Sequence, residues 1–547
     1  MLQNIEKNKI INFFLEKEVL VGPNFINNIN EEFKSDEFYD LFKQKIPSDK
    51  FLVISNDLFN SIINKKESLD LNWKELDKSK VLKEKEKDER IYNKFMEFIG
   101  NNKEKVLIPE KSESFNENEE QKEEIKLSKT SGKVKVVHSY SKEPKKREIQ
   151  DFVKLFNNRF KRIEKMFQSR RELQNLTSIS RIKAKKEKET VSFIGIVTDK
   201  QTTKNNNFIL TLEDLTSDIK ILINKNNNLY EQAKDIVLDE ILGITGSNNG
   251  DLVYVNNILW PDVPLQNELK KAPNESYVLF LSDIHVGSNN FQEKEFNKFI
   301  KWINGEIGSN EQKKIVSLIK YIFIAGDLVD GIGIYPGQDS ELLIKDIFDQ
   351  YEECARLLKN IPERINIIIC PGNHDAMRLA EPQPELYKDF SKPLWEIPNV
   401  IMVSNPSIIN IESSEEFSGF DVLLYHGYSF DYYIANVDSI RNNGGYDRAD
   451  LVMKFLLQRR HLAPTHTSTL YIPDNEEDPL VIDDVPDFFV TGHIHKTSVS
   501  NYKNVTLICG SCWQSKTAFQ EKVGHNPEPC RVPIVNLQTR ELKILRF

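Results

Sequence analysis

Five short apolar runs, each ending in residues that bind metal ions, recur along the carboxyl-terminal half of this 547-residue chain. Residues 279–281 lead into Asp283 and His285, and 321–325 into Asp327 and Asp330. Residues 365–370 lead into Asn373, His374 and Asp375, 422–425 into His426, and 488–491 into His493 and His495. Runs this short, rich in β-formers and bounded by Gly, Pro or Asp, read as buried strands and not as helices. In open α/β sheets, ligands bind just beyond the carboxyl ends of the strands. The spacing therefore brings Asp283, His285, Asp327, Asn373, His426, His493 and His495 towards one site.

Mixed imidazole and carboxylate donors suit Mn²⁺, Fe or Zn²⁺ better than Mg²⁺ or Ca²⁺, which prefer oxygen ligands. Seven donors exceed the needs of one tetrahedral ion and suit two ions that share a bridging carboxylate. A single Asp-x-His pair, or one histidine on an apolar face, would carry little weight. The repetition after successive strands carries the inference.

Taken in order, Asp-x-His (283–285), Gly-Asp-x-x-Asp (326–330), Gly-Asn-His-Asp (372–375), His-Gly (426–427) and Gly-His-x-His (492–495) resemble the calcineurin-like metallophosphoesterase family. That resemblance implies two β-sheets sandwiched between helical layers. It places one ion on Asp283, His285, Asp327 and His495, and the other on Asp327, Asn373, His426 and His493, with Asp327 bridging. It also implies that His374, held by Asp330, stabilises or protonates the leaving oxygen. Residues 456–464 (Leu-Leu-Gln-Arg-Arg-His-Leu-Ala-Pro), Phe519, Gln520 and 526–529 (Asn-Pro-Glu-Pro) are similar to the small subunits of archaeal family D DNA polymerases. The resemblance covers about residues 190–547. It implies a metal-dependent 3′→5′ DNA exonuclease acting on a DNA 3′ end with two divalent ions, Mn²⁺ first and Fe, Zn²⁺ or Mg²⁺ as alternatives.

No further carboxylate pair on strands lies outside these motifs. DNA synthesis then belongs to another polypeptide, which the resemblance identifies as the large catalytic subunit. Gly331 stands where Ser/Thr protein phosphatases carry an arginine, which argues against that branch. Two other readings stay open: an accessory scaffold with vestigial catalysis, and a stand-alone metallophosphoesterase or repair nuclease. The presence of all seven ligand positions favours an active site, and residues 459–464 together with a tethered amino-terminal module argue against a stand-alone enzyme.

The chain is too long for one core, and the fold class is multidomain. An α+β/α/β phosphoesterase sandwich over 276–547 follows an all-β OB-fold over 190–263 and a small helical amino-terminal domain over 1–72. The OB-fold expectation rests on strands at 191–197, 208–212, 219–223, 241–245 and 252–256, with a helical stretch at 229–236. Those strands offer few aromatics beside Lys or Arg, so docking explains them at least as well as single-strand binding. Covering helices are expected at 293–303, 340–358 and 447–458.

With 39% hydrophobic and 29% charged residues, part of the chain is expected to be solvated. Residues 73–147, with Lys/Glu runs at 80–90 and 117–124, read as a charged flexible linker. The segment 148–189 reads as an amphipathic helix over 149–167 followed by a basic connector. In that helix Ile149, Phe152, Val153, Phe156, Phe160, Ile163 and Phe167 form the apolar face, with Arg159 elsewhere, and packing on the next domain explains it best. It echoes a sliding-clamp motif at Gln150, Val153 and Phe156, but Asn157 replaces the second aromatic. The module 1–72 has no ligand-type cluster and reads as a docking element, with a sliding clamp or another replication protein as candidate partners.

A net charge of −9 excludes a globally basic nucleic-acid wrapper. Five cysteines, no signal peptide and no apolar run of membrane-spanning length give a cytosolic, reduced chain without a membrane partner. Cys509 and Cys512 lack a second pair and are expected to be structural.

Overall fold

The computed structural model describes residues 132–547 except 144, 169, 186 and 187, together with 10, 13, 14, 17, 19–21, 36, 38, 39 and 52–54. The chain divides into two units, Met1–Gln121 and Lys122–Phe547. In the first, Phe13, Phe14, Phe38 and Tyr39 are helical and their rings meet edge-on or tilted at 5.3–6.3 Å. The helical expectation needs one addition there: β1 (Val19–Val21) pairs in parallel with β2 (Leu52–Ile54), so residues 52–54 form a strand. The rest of the 1–72 module and the linker over 73–131 lie outside the described residues.

In the second unit, β4 (Thr190–Thr202), β5 (Phe208–Glu213), β6 (Asp218–Ile223), β7 (Ile241–Asn248) and β8 (Leu252–Leu259) form a closed barrel in the order β4-β5-β6-β8-β7. A one-turn helix, Tyr230–Lys234, sits between the third and fourth strands. Alternating residues such as Leu210, Leu212, Ile219, Ile221 and Ile223 point inward and are fully buried, as period-two strands closed on a core require.

The phosphoesterase region consists of two six-stranded sheets. The first, in the order β12-β11-β10-β9-β18-β19, contains β9 (Tyr277–Leu281), β10 (Ile319–Ala325), β11 (Asn366–Cys370), β12 (Val400–Met402), β18 (Arg531–Asn536) and β19 (Leu542–Arg546). The second runs β16-β17-β15-β14-β13-β3, from β3 (Val134–Ser139), β13 (Ser407–Ile411), β14 (Phe420–Leu424), β15 (Phe488–Thr491), β16 (Ser498–Tyr502) and β17 (Val505–Cys509). Three cores stack through them. Phe280, Phe323, Ile368, Val422, Phe488 and Ile508 fill the space between the sheets. The helices Glu293–Ile303 and Ile347–Leu358 cover the outer face of the first sheet, and Phe430–Asn436 and Ala449–Arg459 that of the second. Both sheets are buried on two faces, which explains their near-continuous apolar strands. No helix among the described residues is long and apolar enough to cross a membrane.

Three expectations need correction. Residues 134–139, assigned by composition to the linker, form an edge strand paired antiparallel with β13. Flanking lysines disguised it, and it buries little: Val136 and Val137 are 40% and 52% exposed. Arg159, assigned to the solvent side of its helix, is buried with its partners. Its Nε donates to Asp478 at 2.6 Å, Nη1 to the Pro464 carbonyl at 2.8 Å and Nη2 to the Tyr471 hydroxyl at 3.1 Å. Phe160, Ile163 and Phe167 of the same helix pack on Ile194 and Ile241 of the barrel and on Val481, so the helix is wedged between barrel and sandwich. Ile149 and Val153, placed on its apolar face, are instead exposed.

Residues 456–464 form the other half of this junction. Arg459 pairs with Glu240 of the barrel at 2.5 Å, Arg460 donates to the Ile482 carbonyl at 2.8 Å, and His461 meets Asp478 at 2.9 Å. Burial, with the nearby charge of Arg159, pushes His461 down to about 4. For Asp478 burial opposes ionisation, but Arg159 and His461 overcome it and hold the carboxyl well below its usual range.

Removing one partner of a fully buried ion pair leaves the other charge uncompensated, at a cost of about 3–5 kcal/mol. Arg159→Ala should lower the unfolding free energy by that order, as read by denaturant melts. Because the folded pKa of Asp478 is depressed, the pair's stabilisation is complete above the unfolded carboxylate value of about 3.9 and is lost as pH falls below it. The gap between wild type and Arg159→Ala should therefore close in acid.

Candidate metal centre

Each ligand run leaves its strand through a sharp turn. Asp283, His285, Asp327, His493 and His495 all adopt left-handed backbone, with φ between 52° and 68°. Non-glycine residues rarely sit there, and each does so at a cost of about 1–3 kcal/mol. The turns bring donors from β9, β10 and β11 of the first sheet towards those from β14 and β15 of the second.

His285 Nε2 lies 3.0 Å from His495 Nε2, and Asp283 Oδ1 lies 3.4 Å from the latter. Asp327 Oδ2 stands 3.9 Å from His285 Nε2 and 3.4 Å from His426 Nε2, between the two groups. His426 Nε2 is 2.8 Å from Asn373 Oδ1, while its Nδ1 donates to the Ala325 carbonyl at 2.8 Å. His493 stands at the edge, its ring 5.2 Å from that of His426. Its Nε2 donates to Asp431 at 2.9 Å, which leaves Nδ1 as its free donor atom. Three sets of side chains have atoms close enough to share an ion: Asp283, His285 and His495; Asp283, Asp327 and His426; and His285, Asp330 and His374.

The chemistry of this donor set calls for cations. Asp283 and Asp327 are fully buried, and their ion pairs among the described residues involve histidines, with no lysine or arginine. Burial resists ionisation of both, but the surrounding histidines outweigh it and lower both pKa values. Burial alone would depress His426, whereas the charge of Asp327 raises it to about 10. Within the protein alone, the positive charge these carboxylates need therefore comes only from imidazole. Divalent ions held by Asp283, His285, Asp327, Asn373, His426, His493 and His495 would supply it instead.

His374 and Asp330 are arranged differently from the implied pairing. His374 Nδ1 donates to the backbone carbonyl of Asp330 at 2.8 Å, not to its carboxylate. The Asp330 carboxylate faces His285 Nδ1 at 3.2 Å and accepts from Gln514 and Gln338 at 2.7 and 3.0 Å. Burial works against its charge, but the bond from His285 prevails and lowers its pKa. Asp330 thus orients the ligand His285, and only its main chain holds His374. Burial lowers the pKa of His374, which lines the cleft beside Asn373 and Asp327.

Comparison with known proteins agrees with the geometry. The calcineurin-like phosphoesterase family matches residues 276–497. The DNA polymerase II small subunit of Methanothermobacter thermautotrophicus is 40% identical over 401 residues, 73% of this chain and 80% of that one. The chain belongs to the DNA polymerase II small-subunit family. The Archaeoglobus fulgidus member is 37% identical over 451 residues, 82% of this chain and 86% of its own. The Pyrococcus furiosus member is 39% identical over 403 residues, 73% of this chain but 64% of its own. The phosphoesterase family implies divalent metal ions at this centre.

Several supporting residues have roles that only the fold assigns. Asp431 accepts from His493 and from the Tyr446 hydroxyl, and Gln520 meets His495 Nδ1 at 2.9 Å. Asp375 accepts from the backbone N–H groups of Asp327 and Gly372, locking two ligand turns together, and burial followed by the charge of Asp327 pushes its pKa up. Cys509 and Cys512 are buried free thiols with raised pKa values, as their structural assignment expects.

Partners of ligating histidines set their orientation, and losing one typically costs about 10–100-fold in metal affinity. Asp431→Asn should show a loss of that size in metal titrations. A Cβ at Gly372 would lie 2.2 Å from Asp327 Oδ1. Gly372→Ala should therefore displace Asp327 and lower the metal content, read by elemental analysis, while circular dichroism still reports a folded chain.

Proposed function

We propose that this chain is the exonuclease subunit of a replicative DNA polymerase, which removes 3′-terminal nucleotides by two-metal phosphodiester hydrolysis and scaffolds a large catalytic subunit. The observation that supports it is the close approach of Asp283, His285, Asp327, His426 and His495, with Asn373 and His493 next to His426 and His374 on the same cleft, in a member of a polymerase small-subunit family. In this reading Asp283, His285, Asp327 and His495 hold one ion, and Asp327, Asn373, His426 and His493 the other, with Mn²⁺ the metal best matched to mixed donors. When bound, such ions acidify a water and neutralise phosphate charge.

The chain's own groups do the rest. His374 donates its Nδ1 proton to the Asp330 carbonyl, which fixes the ring; in the imidazolium form its Nε2–H is then the proton available to the leaving 3′-oxygen. Asp330, through His285, and Asp431, through His493, fix ligand orientation. The buried turns exclude bulk water from the ligand floor. The five-stranded barrel is read as an OB-fold whose role is docking, because it offers a rigid surface next to the sandwich. The large subunit is the partner proposed for that surface.

Purified chain supplied with Mn²⁺ or Mg²⁺ and with 3′- or 5′-labelled oligonucleotides tests the reading. Stepwise loss from the 3′ end is expected, abolished by Asp327→Ala. His374→Ala should slow cleavage by roughly 10²–10⁴-fold with metal content unchanged. A wild-type chain that releases nothing from the 3′ end refutes the proposal.

A further inference from the structure

The ligand floor opens into a cleft of about 610 Å³ with no lysine or arginine in its lining among the described residues. Away from the ligands its wall is apolar and aromatic. Phe519 is 43% exposed yet held in place, its ring stacked on Tyr335 at 5.3 Å and 24°. A single carboxylate fixes both partners: Glu341 accepts from the Tyr335 hydroxyl at 2.8 Å and from the Ala518 N–H at 2.9 Å. The next residue, Gln520, contacts the ligand His495. The aromatic pair is therefore tied into the same short segment that orients a ligand. Ile332, 51% exposed, lines the same cleft.

An exposed phenyl ring gains little from this placement in the free protein. A flat apolar ligand would cover it, and the cleft brings such a ligand next to the groups that act on phosphate. A nucleobase attached to the phosphodiester under attack has that shape, and base–aromatic stacking tolerates any sequence. A base still paired in a duplex has its faces covered by its neighbours, so only an unpaired base can use the ring.

Resting on the exonuclease reading above, we propose that the Tyr335–Phe519 pair is a stacking platform for the unpaired base of a nucleotide at the 3′ end. Phe519 is then a specificity-determining residue and takes no part in bond cleavage. His374 and the ligand set act on the phosphate whether or not a base is present.

Two measurements on the full chain test this. An oligonucleotide with 2-aminopurine at its 3′ terminus, bound in EDTA, should be quenched by wild type and by Phe519→Trp but not by Phe519→Ala. With metal, Phe519→Ala should lower kcat/KM about tenfold on a normal oligonucleotide, the scale of one lost stack. It should leave unchanged the rate on an oligonucleotide whose last two residues are abasic. Quenching that is absent in wild type or survives in Phe519→Ala overturns the platform, as does an equal loss of rate on both substrates. The fluorescence arm needs no cleavage, so a chain that quenches but releases no nucleotide would refute the exonuclease reading and leave the platform standing.

Discussion

The structure is organised around two buried carboxylates that no lysine or arginine among the described residues neutralises. Asp283 and Asp327 sit on left-handed turns, fully buried, among histidines. Such turns persist only where their surroundings over-determine them. Here the surroundings are three stacked apolar cores, one between the sheets and one outside each. The apolar strands and the strained polar turns are two parts of one device: the first supply the stability that lets the second hold charge out of water.

The site spans both sheets, so its precision depends on how firmly they are joined. Asp283, after a strand of the first sheet, accepts from the His493 N–H of the second at 3.1 and 3.0 Å. His426, on the second, donates to Ala325 of the first. Gly492 marks how close the two come: a Cβ there would lie 2.6 Å from Asp283 Oδ2 and 2.8 Å from the Ala325 carbonyl. Ligand bonds, backbone bonds and a missing side chain all register one sheet against the other at the same place.

The convergence of the candidate ligands was legible in sequence because the signal is a repeated pairing of strand end and donor type, and strand ends in such sheets converge. The helices expected at 293–303, 340–358 and 447–458 were legible from their period and form over 293–303, 347–358 and 449–459, the second starting seven residues late. What escaped has physical reasons. Residues 134–139 (Val-Lys-Val-Val-His-Ser), preceded by Lys133, form a sheet edge, where half-exposed side chains look like linker. Arg159 is seven residues from Phe152 and three from Phe156, so it belongs to the apolar face by geometry, but its charge argued otherwise. Its partner Asp478 is 319 residues away, beyond the reach of any local pattern. Asp431 and Gln520 are ordinary polar residues until the fold sets them against His493 and His495.

The same contrast separates two kinds of family signature. The stretch 456–464 looks like chemistry, with two arginines and a histidine in a row, yet its polar groups are spent on structure. Arg459 fastens the barrel, Arg460 the loop at Ile482, and His461 shares Asp478 with Arg159. A charged group that deep is tolerable only when every partner is in place. The junction therefore requires the barrel, the helix Ile149–Phe167 and the sandwich together. A metal ligand set can in principle be built on the sandwich alone. What the buried ionic junction adds to the sandwich is a direct connection of barrel and helix to it beside the site.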